Sequence, residues 1–205
     1  KPVSCQVYNI LTPVKVIRRL LMNAIPQLAQ PMSSLFIYVV YSGRDVIGIA
    51  NTGSGKTAAF ALPMIHRMKH LTERHIALVI APTRELATQI DDEFRSFSRG
   101  LQIYTALCVG GMNMDRQIHA LARHPQVVIG TPGRLKDLFQ QGALKLNATN
   151  VLVLDEVDRM LDMGFINDIR FLVDKLQAKR QTLCFSATIT PEIRPPNFAG
   201  IFPLY

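Results

Sequence analysis

The sequence is poor in the features that mark secreted and membrane proteins. Only three cysteines occur among 205 residues, at Cys5, Cys108 and Cys184, so a disulfide framework and a four-ligand zinc site are excluded and a reducing compartment is favoured. The longest apolar run covers residues 35–41, far short of the about 20 residues that cross a bilayer. The first residues also lack the layout of a signal peptide. We therefore expect a protein of the cytoplasm, or of a nucleus, with no membrane partner.

Repeats and low-complexity tracts are also absent, and the 48% hydrophobic content is enough for one buried core. Positive charge, by contrast, is in excess. Twenty-three Lys and Arg residues face 15 Asp and Glu residues, which gives a formal net charge of +8. This excess favours a polyanionic partner. The alternative is a basic surface that contacts only solvent.

Short apolar runs recur along the chain, and each ends in small or polar residues. They cover residues 45–50, 75–82, 103–111, 126–132, 151–156 and 182–188. Segments long enough for helices, such as 83–97 and 113–123, lie between them. Near-continuous Val, Ile and Leu runs that alternate with helices are typical of a parallel sheet covered on both faces. The sequence therefore predicts a doubly wound α/β domain of three layers, which binds its ligand beyond the carboxyl ends of the strands.

The two ends of the chain fit this pattern less well. Residues 12–29 have a helical pattern that Pro26 interrupts. Residues 195–205 contain three prolines and no clear period, and we interpret them as a linker stub or tail.

A phosphate-binding pattern follows the first apolar run. It consists of Ala50, Asn51, Thr52, Gly53, Ser54, Gly55, Lys56 and Thr57, which match a P-loop except that alanine stands in the place of the first glycine. A strand that ends at Ala50 and a helix that begins near Lys56 would surround an anion with backbone N–H groups. Lys56 would contact the β- and γ-phosphates, and the Thr57 hydroxyl would bind Mg²⁺. The alternative is an ordinary glycine turn.

A second motif supplies acidic residues. The string VLVLDEVD places Asp155, Glu156 and Asp158 directly after four apolar strand residues. Beside a P-loop, Asp155 would hold Mg²⁺ and Glu156 would orient or deprotonate the attacking water, so Lys56, Asp155 and Glu156 are the candidate catalytic residues. The alternative is that these carboxylates only cap the turn and helix that follow.

Five further motifs stand in order along the chain after the P-loop. They are PTRELA (82–87), GG (110–111), TPGR (131–134), DEVDRMLDMGF (155–165) and SAT (186–188). Over residues 43 to about 194 the chain closely resembles the first RecA-like domain of a DEAD-box RNA helicase. The resemblance implies a RecA-like fold, ATP and Mg²⁺ as cofactors, RNA as partner and RNA-dependent ATP hydrolysis as activity. A monomer is expected, with a second RecA-like domain in the full-length protein.

The resemblance also implies roles outside the phosphate site. The matching RNA-backbone contacts are Pro82, Thr83, Arg84, Gly110, Gly111, Thr131, Pro132, Gly133 and Arg134, and the matching residues that couple the nucleotide state to domain closure are Asp158, Ser186 and Thr188. Backbone N–H groups and arginines suit phosphate contacts that carry no sequence information. Taken singly, PTRE is also a good helix start and TPGR a good turn. Two hydroxyl residues after a strand can likewise be a simple cap.

The sequence departs from the family pattern at three places. Val157 replaces the usual alanine of the DEAD motif and removes no catalytic group. The glutamine that reads adenine in this family is expected near Ser33, but the nearest glutamines are Gln30 and Gln27. A second RecA-like domain has no room in 205 residues. We therefore expect the chain by itself to bind nucleotide weakly, hydrolyse it slowly and unwind nothing.

These observations divide the chain into three parts. Residues 1–42 form a diverged segment in the place of the adenine-recognition motif, residues 43–194 form the RecA-like ATP-binding domain, and residues 195–205 form the linker stub or tail.

Two other interpretations stay open, and two tempting features carry little weight. A non-catalytic RNA-binding scaffold would account for the displaced glutamine, although the phosphate-site residues are intact. A DNA helicase is disfavoured by PTRELA, TPGR and SAT together.

A metal pair at His66 and His70 lacks a third ligand. Cys108 and Cys184 lie in apolar runs, where buried inert thiols are expected.

Overall fold

Six short strands form one parallel sheet. The computed structural model describes residues 39–49, 55–70 and 76–188. Within them the strands are β1 (Val46–Ile49), β2 (Ile76–Ile80), β3 (Thr105–Cys108), β4 (Val127–Gly130), β5 (Thr149–Leu154) and β6 (Gln181–Ser186). Their order in the sheet is β1-β6-β5-β2-β4-β3, and every neighbouring pair is parallel. The predicted parallel sheet is therefore confirmed.

Helices cover both faces of this sheet. They are α1 (Lys56–His70), α2 (Arg84–Phe97), α3 (Met114–Ala122), α4 (Pro132–Gln140), α5 (Val157–Asp162) and α6 (Ile166–Val173). Phe60 of α1 and Phe94 of α2 belong to the apolar cluster on one face. Leu135 of α4 and Ile169 of α6 belong to the cluster on the other. Three layers around two cores confirm the doubly wound α/β class.

The alternation of side chains along each strand explains why the strands are apolar throughout. Along β5, Val151 and Val153 contribute to the cluster with α1 and α2, whereas Leu152 and Leu154 contribute to the opposite cluster. Successive residues of a strand face opposite sides of its sheet. A strand with helices on both sides therefore gains from apolar residues at every position, which is the pattern read from the sequence.

Local signals fix where the helices begin. The Thr83 hydroxyl accepts a hydrogen bond from the Leu86 N–H at 3.2 Å and caps α2. Asn113 caps α3 in the same way through the N–H of Arg116 at 3.0 Å. Pro132 is the first residue of α4, where its missing N–H costs nothing. PTRE thus begins a helix as expected, whereas TPGR, expected to form a turn, also begins a helix.

Gln181, at the start of β6, ties the segment before β1 to the body of the domain. Its Nε2 donates to the carbonyl oxygens of Val40 at 3.0 Å and Arg44 at 2.7 Å. Its Oε1 accepts from Arg67 of α1 at 2.8 Å. One buried amide therefore fixes β1 and α1 relative to the centre of the sheet, and these two elements flank the P-loop.

Several predictions fall outside the described residues. They concern the helical pattern over 12–29, the glutamines Gln27 and Gln30, the loop residues 50–54, the side chain of His70 and the tail over 195–205. In the described part of the chain no helix combines the length and the apolar composition that a bilayer crossing requires.

The burial of the two described thiols agrees with their expected inertness. Cys108 and Cys184 are both free and fully buried. Burial raises the pKa of the Cys108 thiol to about 12, although the charge of Arg134 opposes that rise. Burial also raises the pKa of Cys184. Both side chains therefore stay protonated at neutral pH, and the thiol form is a poor nucleophile.

Gly130, the last residue of β4, lies too close to two neighbours to accept a side chain without strain. A Cβ at Gly130 would overlap the carbonyl oxygen of Cys108 and lie 2.9 Å from Leu135 Cδ2. We expect Gly130→Ala to lower the free energy of unfolding by about 1–3 kcal/mol, the usual cost of overpacking. Urea unfolding followed by circular dichroism measures the change.

Gly133→Ala is the matched control for this prediction. A Cβ at Gly133, in the first turn of α4, would meet nothing within 4 Å. Alanine should therefore be neutral or stabilise the fold by about 0.5–1 kcal/mol. Equal stability of the two variants would contradict the close approach at Gly130.

Candidate functional site

The carboxyl ends of β1, β6 and β5 lie side by side and bring together residues distant in sequence. Lys56 begins α1 after β1, Asp155 follows β5, and Ser186 ends β6. The Lys56 Nζ lies 3.3 Å from Asp155 Oδ1, and the two side chains are only 8% and 2% exposed. The predicted lysine and aspartate thus form a buried ion pair at the edge where ligands bind in such folds.

The Lys56 ammonium is not fully satisfied by this pair. Its Nζ makes no aligned hydrogen bond with any described residue, although an ammonium group has three donors. Burial is costly for a charge that lacks such partners. An anion with several acceptor oxygens, such as a phosphate, would supply them. The lysine therefore fits the role that the sequence predicts for it.

Burial also dominates the electrostatics of Asp155. It raises the pKa of this carboxyl, and the nearby charge of Lys56 only partly offsets the rise. The N–H of Glu156 donates to Asp155 Oδ1 at 3.0 Å. A divalent cation would favour the ionised form of such a carboxylate far more strongly than one lysine does. Thr57, the other predicted magnesium ligand, is the second residue of α1. A hydroxyl and a carboxylate are oxygen donors suited to Mg²⁺.

Glu156 is held in an unusual backbone conformation. Its φ of 54° and ψ of 53° lie in the left-handed region, immediately before α5 begins at Val157. For a residue with a Cβ this conformation costs roughly 1–2 kcal/mol. Its carboxylate lies 3.4 Å from the Arg159 guanidinium. Strained residues persist where the surroundings hold them, and they concentrate at functional sites.

Val157, the departure within the acidic motif, is accommodated in the core. Its side chain is fully buried and belongs to the cluster that also contains Met160 and Ile169. The isopropyl group therefore packs within the apolar core. Asp155 and Glu156 directly follow the last residue of β5 despite this substitution.

Asp158 connects the acidic motif to the end of β6. Its Oδ2 accepts from the Thr188 hydroxyl at 2.9 Å and from the N–H groups of Thr188 at 2.9 Å and Ala187 at 3.1 Å. Partial burial raises the pKa of Asp158, but these hydrogen bonds outweigh it and hold the pKa below its usual value. Ser186 adds to this lowering, although its buried hydroxyl is outside hydrogen-bonding geometry. The structure thus brings together all three residues for which a coupling role is expected.

The predicted RNA-contacting residues gather at the ends of the other three strands. β2, β4 and β3 are neighbours, and the loops after them carry PTRELA, TPGR and GG respectively. Arg84 Nη1 donates to the Gly110 carbonyl at 3.4 Å, and Arg134 Nη1 donates to the Met112 carbonyl at 3.2 Å. The loop between β3 and α3 therefore touches an arginine from each of the other two loops.

Sequence reasoning missed three residues that shape these sites. They are Arg159 beside Glu156, Gln181 at the start of β6 and Gln117 on the inner side of α3. Arg159 lies inside the DEVDRMLDMGF motif, but no role was expected for it, and Gln181 and Gln117 lie outside every motif. A polar residue on the otherwise apolar face of α3 was the only signal for Gln117.

The side chain of His70 lies outside the described residues, so the structure does not test the discounted metal pair of His66 and His70. His66 is exposed and its ring lies 5.5 Å from that of Tyr41. Among the described residues, no three His, Cys, Asp or Glu side chains group closely enough to hold a metal ion.

Sequence comparison relates the chain to a family of helicases. The model of the DEAD/DEAH box helicase family matches residues 30–194. The ATP-dependent RNA helicase CshA of Listeria monocytogenes is 46% identical over 81% of this chain and 32% of its own length. The protein of the same name from Limosilactobacillus reuteri is 44% identical over 81% of this chain and 33% of its own length. The chain thus spans about a third of the length of these curated relatives.

Solved structures show the same relationship. A hypothetical ATP-dependent RNA helicase from Sulfolobus tokodaii superimposes with a TM-score of 0.77 at 34% identity, over 88% of this chain and 53% of that chain. A DEAD box protein from Methanococcus jannaschii superimposes with a TM-score of 0.75 at 36% identity, over 82% of this chain and 46% of that chain. The match is therefore to part of longer proteins.

The left-handed conformation of Glu156 generates a second prediction. We expect Glu156→Gly to be more stable than Glu156→Ala by roughly 1 kcal/mol, because only glycine adopts this φ without steric cost. Comparing the two variants with each other cancels the loss of the glutamate side chain. Urea unfolding measures the difference.

His124 offers a matched control away from the carboxylates. It is exposed, follows α3 and has a φ of 55°. The glycine and alanine variants of His124 should differ by a similar amount. If glycine stabilises position 124 but not position 156, the backbone at Glu156 is not strained as described.

Proposed function

The chain belongs to the DEAD/DEAH box helicase family, and on that premise we propose that it is the ATP-binding half of an RNA-dependent ATPase that remodels short RNA duplexes or RNA–protein complexes. The observation that carries this proposal is the buried Lys56 ammonium, 3.3 Å from Asp155 and without an aligned hydrogen bond among the described residues. A site of this kind favours the charged end of a nucleotide. Several relatives are named ATP-dependent RNA helicases.

We propose the following roles at the phosphate site. The backbone of residues 50–55 and the ammonium of Lys56 bind the β- and γ-phosphates. Thr57 and Asp155 hold Mg²⁺, which when bound neutralises charge on the phosphate oxygens. Glu156 orients or deprotonates the attacking water. Its fixed backbone conformation supports this role, since a base must be held within reach of the water.

The loops that follow β2, β4 and β3 support the proposed RNA binding. Arg84 and Arg134 are proposed to contact RNA phosphates, together with backbone groups of Pro82, Thr83, Gly110, Gly111, Thr131, Pro132 and Gly133. Several of these residues begin helices, where free N–H groups attract anions. Contacts to phosphate and sugar position an RNA without reading its sequence.

The remaining assignments concern the organisation of the full-length protein. We propose that residues 43–194 are the RecA-like ATP-binding domain. Residues 1–42 are a diverged segment in the place of the adenine-recognition motif, and residues 195–205 are a linker stub or tail. The contact of Asp158 with Thr188 would couple the nucleotide state to closure of the two domains. We expect the 205 residues alone to be monomeric. They should also hydrolyse ATP slowly and unwind nothing, because an arginine that another domain supplies can accelerate phosphoryl transfer by several orders of magnitude.

Nucleotide binding tests the proposal directly. We expect Mg·ATP to bind the chain and Lys56→Ala to weaken that binding at least about tenfold, because the variant removes a charge-assisted phosphate contact. Titration calorimetry measures the affinity, and circular dichroism checks that the variant folds. Lys136→Ala, which removes an ion pair to Asp168 on α6, is the control and should bind as the wild type does.

The choice of nucleotide separates the possible outcomes. Preference for Mg·ATP over Mg·GTP would support a base-reading contact despite the altered N-terminal segment. Equal binding of both would indicate a phosphate site without base selectivity. Absence of binding would overturn the ATPase assignment and favour a non-catalytic RNA-binding scaffold.

RNA affinity provides a separate prediction. Arg84→Ala and Arg134→Ala should each weaken binding to single-stranded RNA and reduce the slope of log affinity against log salt by about 0.7, as expected for one lost phosphate contact. Fluorescence anisotropy with a labelled oligouridylate at several salt concentrations measures both. Arg170→Ala, at an exposed position on α6, should leave the slope unchanged. A slope that does not respond to Arg84 or Arg134 would contradict the proposed interface.

A further inference from the structure

The loop between β3 and α3 is held from three directions. Residues 109–113 carry carbonyl groups that accept hydrogen bonds from side chains on three different helices. Arg84 of α2 donates to Gly110 at 3.4 Å, and Arg134 of α4 donates to Met112 at 3.2 Å. The third donor is Gln117 of α3, which no sequence motif includes.

Gln117 makes the most enclosed of these contacts. Its side chain is almost entirely inaccessible, since the residue is 3% exposed. Its Nε2 donates to the carbonyl oxygens of Val109 at 3.1 Å and Met112 at 3.4 Å. Both partners are acceptors, so the amide nitrogen must face them. The two contacts bracket the glycine pair and fix the width of the loop.

The other half of the same amide is left unsatisfied. Gln117 Oε1 is buried and has no hydrogen-bond partner among the described residues. A buried acceptor without a partner costs free energy, and each such group in a native protein calls for an explanation. An apolar side chain of similar size would avoid that cost. The function of this glutamine therefore lies in its donor side, in the loop that it holds.

The shape of the loop determines where both arginines lie. Met112 provides one carbonyl to Gln117 and Arg134 together. Gly111 has a φ of 76°, and a Cβ there would collide with the Arg84 guanidinium. Displacement of the loop would therefore move the acceptors of both guanidinium groups.

We propose that Gln117 is a positioning residue for RNA-backbone binding: its buried amide holds the loop over residues 109–112, and the loop carbonyls hold Arg84 and Arg134 in place. This inference rests on the proposed function, because it assigns the two arginines to RNA phosphates. Gln117 itself touches no RNA. It acts before RNA arrives, and it reduces the freedom that the arginines would otherwise lose on binding.

A cysteine beneath the loop reports on its integrity without RNA. Cys108 is the last residue of β3 and directly precedes the loop, and its thiol is fully buried. Cys184 is equally buried on β6, which β4, β2 and β5 separate from β3 in the sheet. Loosening of the loop should expose Cys108 alone, whereas general loss of stability should expose both thiols.

The test uses Gln117→Met in the 205-residue chain. Methionine is similar in length and apolar, so it removes both the donor and the unsatisfied acceptor while the core stays filled. Gln140→Met, at an exposed position near the end of α4, is the matched control. Alkylation of each cysteine by iodoacetamide is followed by peptide mass spectrometry, and affinity for labelled oligouridylate is measured by anisotropy.

We expect Gln117→Met to accelerate alkylation of Cys108 severalfold and to leave Cys184 protected. Affinity for the oligouridylate should fall about fivefold, because the two arginines would lose part of their positioning before RNA binds. In an Arg134→Ala background the same change should cost less than it does in the wild type, because the two residues act through one carbonyl. A merely structural role would lower affinity equally in both backgrounds.

Three results would overturn the proposal. They are unchanged alkylation of Cys108, equal exposure of both thiols, and unchanged RNA affinity of Gln117→Met. If the wild-type chain itself bound no oligouridylate, the proposed RNA function would fail, and with it the part of the proposal that concerns RNA. The alkylation rates would still show whether Gln117 holds the loop, so the two failures are distinguishable.

Discussion

Parallel pairing of the six strands is the constraint on which both candidate sites depend. Since every strand runs in the same direction, all the loops that follow strands emerge at one edge of the sheet. The order β1-β6-β5 places Lys56, Asp155 and Ser186 together, and the order β2-β4-β3 places the three glycine- and arginine-bearing loops together. The candidate phosphate site and the loops proposed to bind RNA thus share one edge. β5 pairs with both β6 and β2 and connects the two groups.

The sequence predicts the scaffold well because its signals are local. Val, Ile and Leu runs mark the strands, and Thr83, Asn113 and Pro132 mark helix starts through contacts within one turn. The contacts of Gln181 are different, since they reach back 137 and 141 residues to backbone carbonyls. Any residue type provides such a carbonyl, so no pattern of side chains identifies the partner. The partners of Gln117 are also backbone carbonyls, so its role is equally hard to predict from the sequence.

Structural and functional explanations of the motif residues are not exclusive. Thr83 caps α2 with its hydroxyl, and Pro132 begins α4 with the φ that a helix needs. The same helix starts present unpaired N–H groups at the edge of the sheet. A residue that begins a helix at this edge therefore also shapes a surface that can attract anions. Local folding rules and phosphate recognition would select the same short list of residues, which is why each motif alone is a weak functional signal.

Three features of the candidate phosphate site lower the stability of the fold in the absence of a ligand. Burial raises the pKa of Asp155 even with Lys56 beside it, so the lysine alone does not fully compensate the enclosed carboxylate. The Lys56 ammonium in turn lacks aligned acceptors among the described residues, and Glu156 adopts a backbone conformation that favours glycine. Each feature costs folding free energy in the absence of ligand. An anion together with a divalent cation would compensate both buried charges at once, and a ligand that binds only the folded state stabilises it. These costs therefore support the proposal that the site takes up a charged ligand.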